Sequence, residues 1–386
     1  MKHFGLSLMV LVAMLIGGAN ASAQTHHDKH AKGGEHCEAT KVFTETARKG
    51  FQQPHNPQFI FTAPNNKFML GIGATVTLRT SYDFMGAMGN IDFVPYDIPM
   101  TKGYANQQRV MMDASTSRIF LKGVINTDCL GRIVAYTDID FRGGDEFSYL
   151  PRLRSAYIQM LGFTVGRDVT TFCDLMAAPT TIDFQGPNAY NFRFTEMIRW
   201  EHTCWDKHIK FGVAAEVPTV NASYGEHFSA IYQRVPDGIA YLQYAWGENR
   251  TSHIRVSGVI RDMYLHNNRT GENTTELGWG VQLSGHIEAG KWVDFYMNGV
   301  YGKGITPYIQ DLSGSPYDFA YNPSDRTKIE TLPMWGWQAA AQVNIIPGTK
   351  LYDIVGKSKI MVNSIHRTKV PNSGDYSISA KAEGDI

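Results

Sequence analysis

The chain has 386 residues, with 36 Lys+Arg against 36 Asp+Glu and a formal net charge of zero at pH 7. That balance argues against a general nucleic-acid binder, which carries a basic excess, while the length alone admits one large core or several domains. Gly (37), Phe (20) and Tyr (19) are abundant and helix formers do not dominate, a composition of many strands joined by turns.

Residues 1–23 read as a secretory signal peptide: Lys2 at the front, an apolar run from Phe4 to Ile16, and Ala21-Ser22-Ala23 as a small-residue cleavage site. The apolar run, about 13 residues, is too short to span a bilayer as a helix. No Cys directly follows the cleavage site, so a lipoprotein anchor is not expected. Beyond residue 24 no helical span appears, and a mature chain living in a membrane must then do so as a closed barrel, which satisfies every backbone polar group in lipid.

Residues 24–66 are polar and show no sustained period, and are expected to form a mobile, His-rich N-terminal arm on the periplasmic side. Within it His26, His27, His30 and His36 lie beside Cys37, with Asp28, Glu35 and Glu38 close by. Imidazole and thiolate are good ligands for zinc and copper. The blander reading is a solvated tail that meets metals only adventitiously, since the spacing matches no closed four-ligand site. No cofactor is expected.

From Lys67 to the C-terminus the chain is expected to build the barrel, with residues after Ile345 the least defined part. Period-2 segments arrive at about 69 to 84, 118 to 127, 131 to 142, 152 to 159, 163 to 168, 193 to 201, 208 to 216, 239 to 247, 252 to 263, 276 to 288, 292 to 302 and 334 to 345. Their connections alternate short and long. The short ones are 128 to 130, 160 to 162, 202 to 207, 248 to 251 and 289 to 291. The long ones are 85 to 117, 143 to 151, 169 to 192, 217 to 238, 264 to 275 and 303 to 333. A soluble sandwich has no reason to place every long loop at one end, whereas outer-membrane barrels have short periplasmic turns and long outer loops.

Side-chain phase agrees. Ile119, Leu121 and Ile125 share one face and Arg118, Lys122 and Asn126 the other. Ile133, Ala135, Ile139 and Phe141 oppose Arg132, Asp138, Asp140 and Arg142, and Ile254, Val256 and Ile260 oppose Arg255, Ser257 and Arg261. One face suits lipid and the other water. Trp200, Trp205, Trp246 and Trp292 fall towards the turns and Trp279, Trp335 and Trp337 towards the long loops, as two interfacial girdles would. Burial of these rings in a soluble core is the alternative.

Between residues 118 and 199 lie eight arginines and one lysine. Arg118, Lys122, Arg132, Arg193 and Arg199 fall on the polar phase, and Arg142, Arg152 and Arg154 border one outer loop. Arg167 shares the phase of Phe163 and Val165, and Glu196 falls on the apolar face, as a subunit contact or a break in phase. A row of guanidinium groups in a narrow lumen attracts and orients small organic anions, because each pairs with carboxylate in bidentate geometry and a low-dielectric wall focuses the field. The same window holds nine acidic residues, among them Asp138, Asp140, Asp174 and Asp183. Arginines that merely neutralise these acids are the alternative, and both hold at once where a basic strip faces an acidic loop across a constriction.

Particular stretches resemble a known family. Tyr82-Asp83-Phe84 with Asp92-Phe93-Val94-Pro95, Thr116-Ser117-Arg118, and Asp140-Phe141 before a Gly-rich loop are similar to motifs of the DcaP-like outer-membrane porins. So are Leu153-Arg154-Ser155-Ala156-Tyr157, Thr171-Phe172-Cys173-Asp174, Asp183-Phe184-Gln185-Gly186-Pro187-Asn188, and Tyr301-Gly302-Lys303-Gly304-Ile305 followed by Tyr308-Ile309. The resemblance runs over about 67 to 310. It implies an all-β, transmembrane, antiparallel up-and-down β-barrel of about 14–16 strands, trimeric, with an arginine-lined constriction that passes small anions, in the outer membrane of a Gram-negative bacterium. Val169 stands where a Trp is common, residues 25 to 66 have no clear counterpart of the coiled-coil arm of some members, and the chain ends Glu383-Gly384-Asp385-Ile386 rather than on an aromatic residue. Two short strands and a loop are expected after Ile345, and a truncated or frame-shifted terminus would account for them.

No enzyme motif is found: Gly302-Lys303-Gly304 is too short for a phosphate loop. Cys129 and Cys204 lie in turns four strands apart, about 20 Å at about 4.8 Å per strand, beyond disulfide reach. The expectation is a porin giving passive diffusion of small anionic, carboxylate-type solutes, embedded in outer-membrane lipid as a homotrimer, with no nucleic-acid partner. Its pore-lining residues are Arg118, Lys122, Arg132, Asp138, Asp140, Arg142, Arg152, Arg154, Asp174, Asp183, Arg193 and Arg199. A structural or adhesive barrel without transport and a soluble secreted all-β binding protein are the alternatives.

Overall fold

The structure is a computed structural model that describes residues 33–54, 56–84, 108–144, 148–179, 181, 184–247, 250–322, 325–344, 357–369 and 376–384. The wall opens with β1 (Phe59–Thr62), β2 (Phe68–Thr75), β5 (Arg118–Thr127), β6 (Gly131–Gly143), β7 (Leu150–Met160) and β8 (Phe163–Val169). It continues through β9 (Phe194–Cys204), β10 (Ile209–Glu216), β12 (Asp237–Trp246), β13 (Ser252–Asn267), β14 (Glu272–Ala289) and β15 (Val293–Lys303). The last strands are β18 (Pro333–Asn344), β19 (Lys357–Lys369) and β20 (Tyr376–Gly384). Each pairs antiparallel with its neighbours in that order, and β11 (Phe228–Ala230) adds to β13, in one sixteen-stranded sheet. Among the described residues no ladder joins β1 to β20.

The up-and-down order follows from the connections. Two-sided strands joined by turns of a few residues can only lie antiparallel beside one another. Several turns use left-handed backbone: Leu161 and Gly162 link β7 to β8 at φ 51° and 83°. The expected strand at 69 to 84 divides. After Thr75 the chain leaves the wall, and β3 (Arg79–Asp83) pairs with β4 (Arg109–Asp113) in a separate hairpin held by the Arg79–Asp113 ion pair. The loop expected at 264 to 275 is instead mostly strand, because β13 and β14 run on past the wall to Asn267 and Glu272. The sheet also starts earlier than expected, at Phe59 rather than Lys67.

Alternation sorts the side chains onto two faces. Outward lie Leu121, Ile158, Ile198, Val213, Leu242, Val256, Ile260, Val281, Leu283 and Phe295, all exposed. Every tryptophan is exposed or half-buried and none is in the core. Inward lie Lys122, Asp138, Asp140, Arg154, Arg199, Arg255, Arg261, Gln282 and Gln338, all buried. Charged side chains are buried here because the space inside the sheet is occupied by three segments of the chain.

The first segment is the N-terminal arm, expected to be mobile. Its described part includes helix α1 (Gly33–Glu45), whose Ala39, Val42 and Phe43 recur at helical spacing and pack on inward-facing Met69, Val124 and Val134. A mostly polar composition hides this short apolar stripe. The second segment is the β8–β9 loop, with Phe172 in a core with Ile239, Val259, Val300 and Met334. The third follows β15 and adds Ile305, Tyr308, Ile309 and Leu312 to that core. Beyond it, β16 (Phe319–Asn322) and β17 (Asp325–Thr331) form an outer hairpin.

Arg167 and Glu196 complete the outer face. They sit directly opposite one another on β8 and β9, both point outward, and they pair at 2.7 Å. Both departures from the apolar phase are therefore two halves of one contact close to the long-loop rim. We expect Glu196→Gln to cost about 0–1 kcal/mol, and Leu242→Arg in the middle of the wall about 2–4 kcal/mol, because the cost of a lipid-facing charge depends on depth. Urea unfolding from lipid vesicles measures both; equal costs at the two positions would contradict the assigned depth.

Candidate functional site

The inner wall of β5–β7 gathers the arginines singled out from the sequence. Alternation points Arg118 and Asp138 inward on neighbouring strands. Arg118 Nε donates to Asp138 Oδ1 at 3.2 Å and its Nη2 pairs with Asp138 Oδ2. Arg152 grips Asp140 in bidentate geometry, Nε to Oδ1 at 2.9 Å and Nη2 to Oδ2 at 2.5 Å. Arg154 donates from Nη1 to Asp140 Oδ2 at 3.0 Å, and its Nε lies 3.6 Å from Asp138 Oδ2. Three guanidinium groups thus share two carboxylates, and the cluster carries a surplus positive charge. Asp140 is 0 % and Arg154 1 % exposed, so that pair is held away from water, while Arg118 and Arg152 are half-buried.

Aromatic rings complete the cluster. Phe184 of the β8–β9 loop receives the guanidinium carbons of Arg79, Arg142 and Arg154 at 5.5, 5.1 and 5.5 Å from its ring centre, and Phe194 receives Arg154 at 4.8 Å. The remaining sequence-derived residues lie elsewhere on the wall. Arg199 donates to Asp168 Oδ2 at 3.0 Å, and Asp168 also pairs with Arg48 of the arm. Arg193 donates to Val217 O at 2.8 Å beneath the Tyr308 ring. Lys122 donates to the Phe43 carbonyl at 3.3 Å, and Arg132 pairs with Glu45 at 3.3 Å, so both serve the arm. Asp183 lies outside the described residues.

Asp174 is not in the arginine cluster. It caps the 3₁₀ turn Leu175–Ala177 and accepts from His253 Nε2 at 2.8 Å and Ser284 Oγ at 2.7 Å, tying the loop to β13 and β14. The loop also reaches Gln338 on β18, whose Nε2 donates to Ala177 O at 3.1 Å, so it crosses the whole interior. Burial pushes the Asp174 carboxyl up, but the His253 hydrogen bond and charge, with Arg255 and Ser284, hold it well below the usual carboxylate range. Burial pushes the neighbouring Cys173 thiol up to about 12, an unreactive state.

A second charged group lies on β12 and β13. Arg261, fully buried, donates from Nε to Asp237 Oδ2 at 3.1 Å and from Nη1 to Asp318 Oδ1 at 3.0 Å. Arg255 lies 3.7 Å from the Tyr241 ring centre and donates to Thr171 O. Both share the alternation that located Arg118. Only their greater separation along the sequence hid the group.

Among possible metal ligands, His26, His27 and His30 lie outside the described residues, and His36 and Cys37 are described only as backbone in α1. Among the described residues His286, Glu288 and Asp294, at the turn end of β14 and β15, place ligand atoms within 4.8 Å of one another. His286 Nδ1 lies 3.2 Å from Thr251 O, an arrangement that fixes the ring. Cys129, Cys173 and Cys204 are free.

Asp174→Ala is expected to cost about 3–5 kcal/mol, because it leaves a buried histidine without its partner, and to loosen the loop. Thermal unfolding in detergent checks this. Since the folded Asp174 carboxyl titrates below its unfolded value, its contribution is complete above the ordinary carboxylate range and is lost only as the pH falls through the lower folded value.

Solved structures of outer-membrane proteins are similar to this one. The outer membrane channel DcaP of Acinetobacter baumannii is similar over 80% of this chain and 81% of its own, with a TM-score of 0.63 at 16% identity. The anion-selective porin from Comamonas acidovorans aligns over 78% of this chain and 80% of its own, at 10% identity and a TM-score of 0.46. OmpT of Vibrio cholerae aligns over 83% and 81%, at 8% identity and a TM-score of 0.48. No curated protein sequence matches significantly. The family model described as DcaP outer membrane protein matches residues 63–300. The chain therefore belongs to the DcaP outer membrane protein family and is a Gram-negative outer-membrane protein with an antiparallel up-and-down β-barrel architecture.

Proposed function

We propose that this protein is a passive channel for small anionic, carboxylate-type solutes, assembled as a homotrimer and exported by the signal peptide at residues 1–23. The observation that carries this reading is the cluster of Arg118, Arg152 and Arg154 on Asp138 and Asp140, with more guanidinium than carboxylate groups on one inward-facing wall. An isolated positive charge in a low-dielectric wall attracts anions and repels cations along the whole approach. The guanidinium group keeps that charge at every physiological pH and presents paired donors to a carboxylate. The Phe184 ring and the β8–β9 loop set one side of the passage and hold the guanidinium planes in place.

A structural or adhesive barrel without transport is the second reading, and it is favoured by one feature: three segments of the chain fill the interior. Planar-bilayer recording of the refolded protein separates the two. The channel reading expects stepwise conductance with anion preference; absence of conductance would sink it.

Charge counting sharpens the expectation. Arg154→Gln leaves two guanidinium groups on two carboxylates and should move the reversal potential in a salt gradient towards zero. Arg118→Gln with Arg154→Gln leaves an excess of carboxylate and should reverse the preference to cations. The preference of the wild type should weaken between 0.1 M and 1 M salt, as the screening length falls from about 10 Å to about 3 Å.

A further inference from the structure

Among the described residues the arm meets the arginine cluster through Gln52. The main-chain carbonyl of Gln52 accepts from Arg118 Nη1, and its side-chain Oε1 accepts from Arg154 Nη2 at 2.8 Å. Its Nε2 donates to the carbonyl of Phe184. Two neutral oxygens of one residue thus stand against two of the three guanidinium groups, the position that a solute carboxylate would take.

The wall is shaped to receive this segment. On the inner face of β2, a β-carbon at Gly71 would lie 2.5 Å from Pro57 Cγ and 2.9 Å from Phe43 Cε1, so the arm rests where a side chain is missing. Phe51 fills a socket with Val169, Cys173, Tyr190 and Phe192. It packs edge-on against Tyr190 and Phe192, with ring centres 5.5 and 6.0 Å apart, and its amide donates to Leu175 O at 2.7 Å. Arg48 pairs with Asp168, and Lys122 holds the Phe43 carbonyl. The arm is therefore anchored on both sides of Gln52 by contacts that do not involve Arg118 or Arg154.

We infer that Gln52 is a specificity-determining residue of the constriction, an internal stand-in whose neutral oxygens hold Arg118 and Arg154 until a carboxylate displaces them. This rests on the anion-channel reading for the nature of the solute. A hydrogen bond between guanidinium and carboxylate is charged on both sides and outcompetes one to a neutral carbonyl. A carboxylate solute therefore opens this contact and an uncharged solute of the same size does not. Only the bonds at Gln52 have to exchange, since Phe51 and Arg48 keep the arm seated. The arm then acts as a filter that sorts solutes by their ability to replace it.

The test is single-channel recording, with acetate and chloride as carriers, on full-length refolded protein whose folding is checked by heat-dependent mobility on a gel. Gln52→Ala frees Arg154 while leaving the main-chain carbonyl on Arg118, and is expected to raise conductance at least about twofold and to narrow the difference between the two anions, with anion preference kept. Gln52→Glu supplies a permanent carboxylate and should lower acetate conductance several-fold while moving the reversal potential towards cations. Gly71→Val fills the seat of the arm without touching the arginines and should act as Gln52→Ala does. Folded variants that all conduct like the wild type would overturn the proposal. Loss of anion preference in wild type and variants alike would instead overturn the solute reading, while the change in conductance still reports the arm.

Discussion

The rest of the structure depends on a single constraint: charged side chains that the alternation sends inward are buried, and a buried charge is tolerated only when it is paired and hydrogen-bonded. The outer face leaves these side chains nowhere else to go, because Leu121, Leu242, Val256 and Leu283 take the lipid side. The chain resolves this with partners from two sources. The wall supplies Asp138, Asp140, Asp168 and Asp237. The inserted segments supply Gln52, Thr171, Asp174 and Asp318. Wall and filling are therefore mutually required: without the inserted segments Arg154, Arg255 and Arg261 would each lose an acceptor.

This dependence also explains why the interior is asymmetric. On β5–β7 the carboxylates are fewer than the guanidinium groups, and the neutral oxygens of Gln52 and the face of Phe184 complete the shell. On β12–β13 Arg261 is matched by two aspartates and sealed by the segment after β15. The first group retains an excess of positive charge, and the second fastens the filling to the wall. Asp174 does the same fastening with opposite sign, as a carboxylate of the loop held by His253 and Ser284 of the wall.

The sequence pattern carried most of this logic but not its closure. Alternation placed Arg118, Asp138, Arg199 and Arg261 on one face from residue order alone, since a strand has a period of two and no freedom to mix its faces. Arg167 and Glu196 each break that pattern on their own strand; register shows that they cancel one another. Partners for the inward charges were legible only as a pool of nearby acids. Which acid meets which arginine depends on strand stagger and rotamer, and these have no short-range signature.

By itself the sequence determined the strand class, the two faces, the end that carries the long loops and the family, because each follows from local period, turn chemistry or a contiguous motif. Only the tertiary structure decided what fills the interior. The arm reads as polar and aperiodic, yet Phe43, Phe51 and Gln52 find a missing side chain at Gly71, an aromatic socket and two guanidinium groups on distant strands. A seat assembled from residues far apart in the chain exists only once the sheet has curled, and no window of sequence contains it.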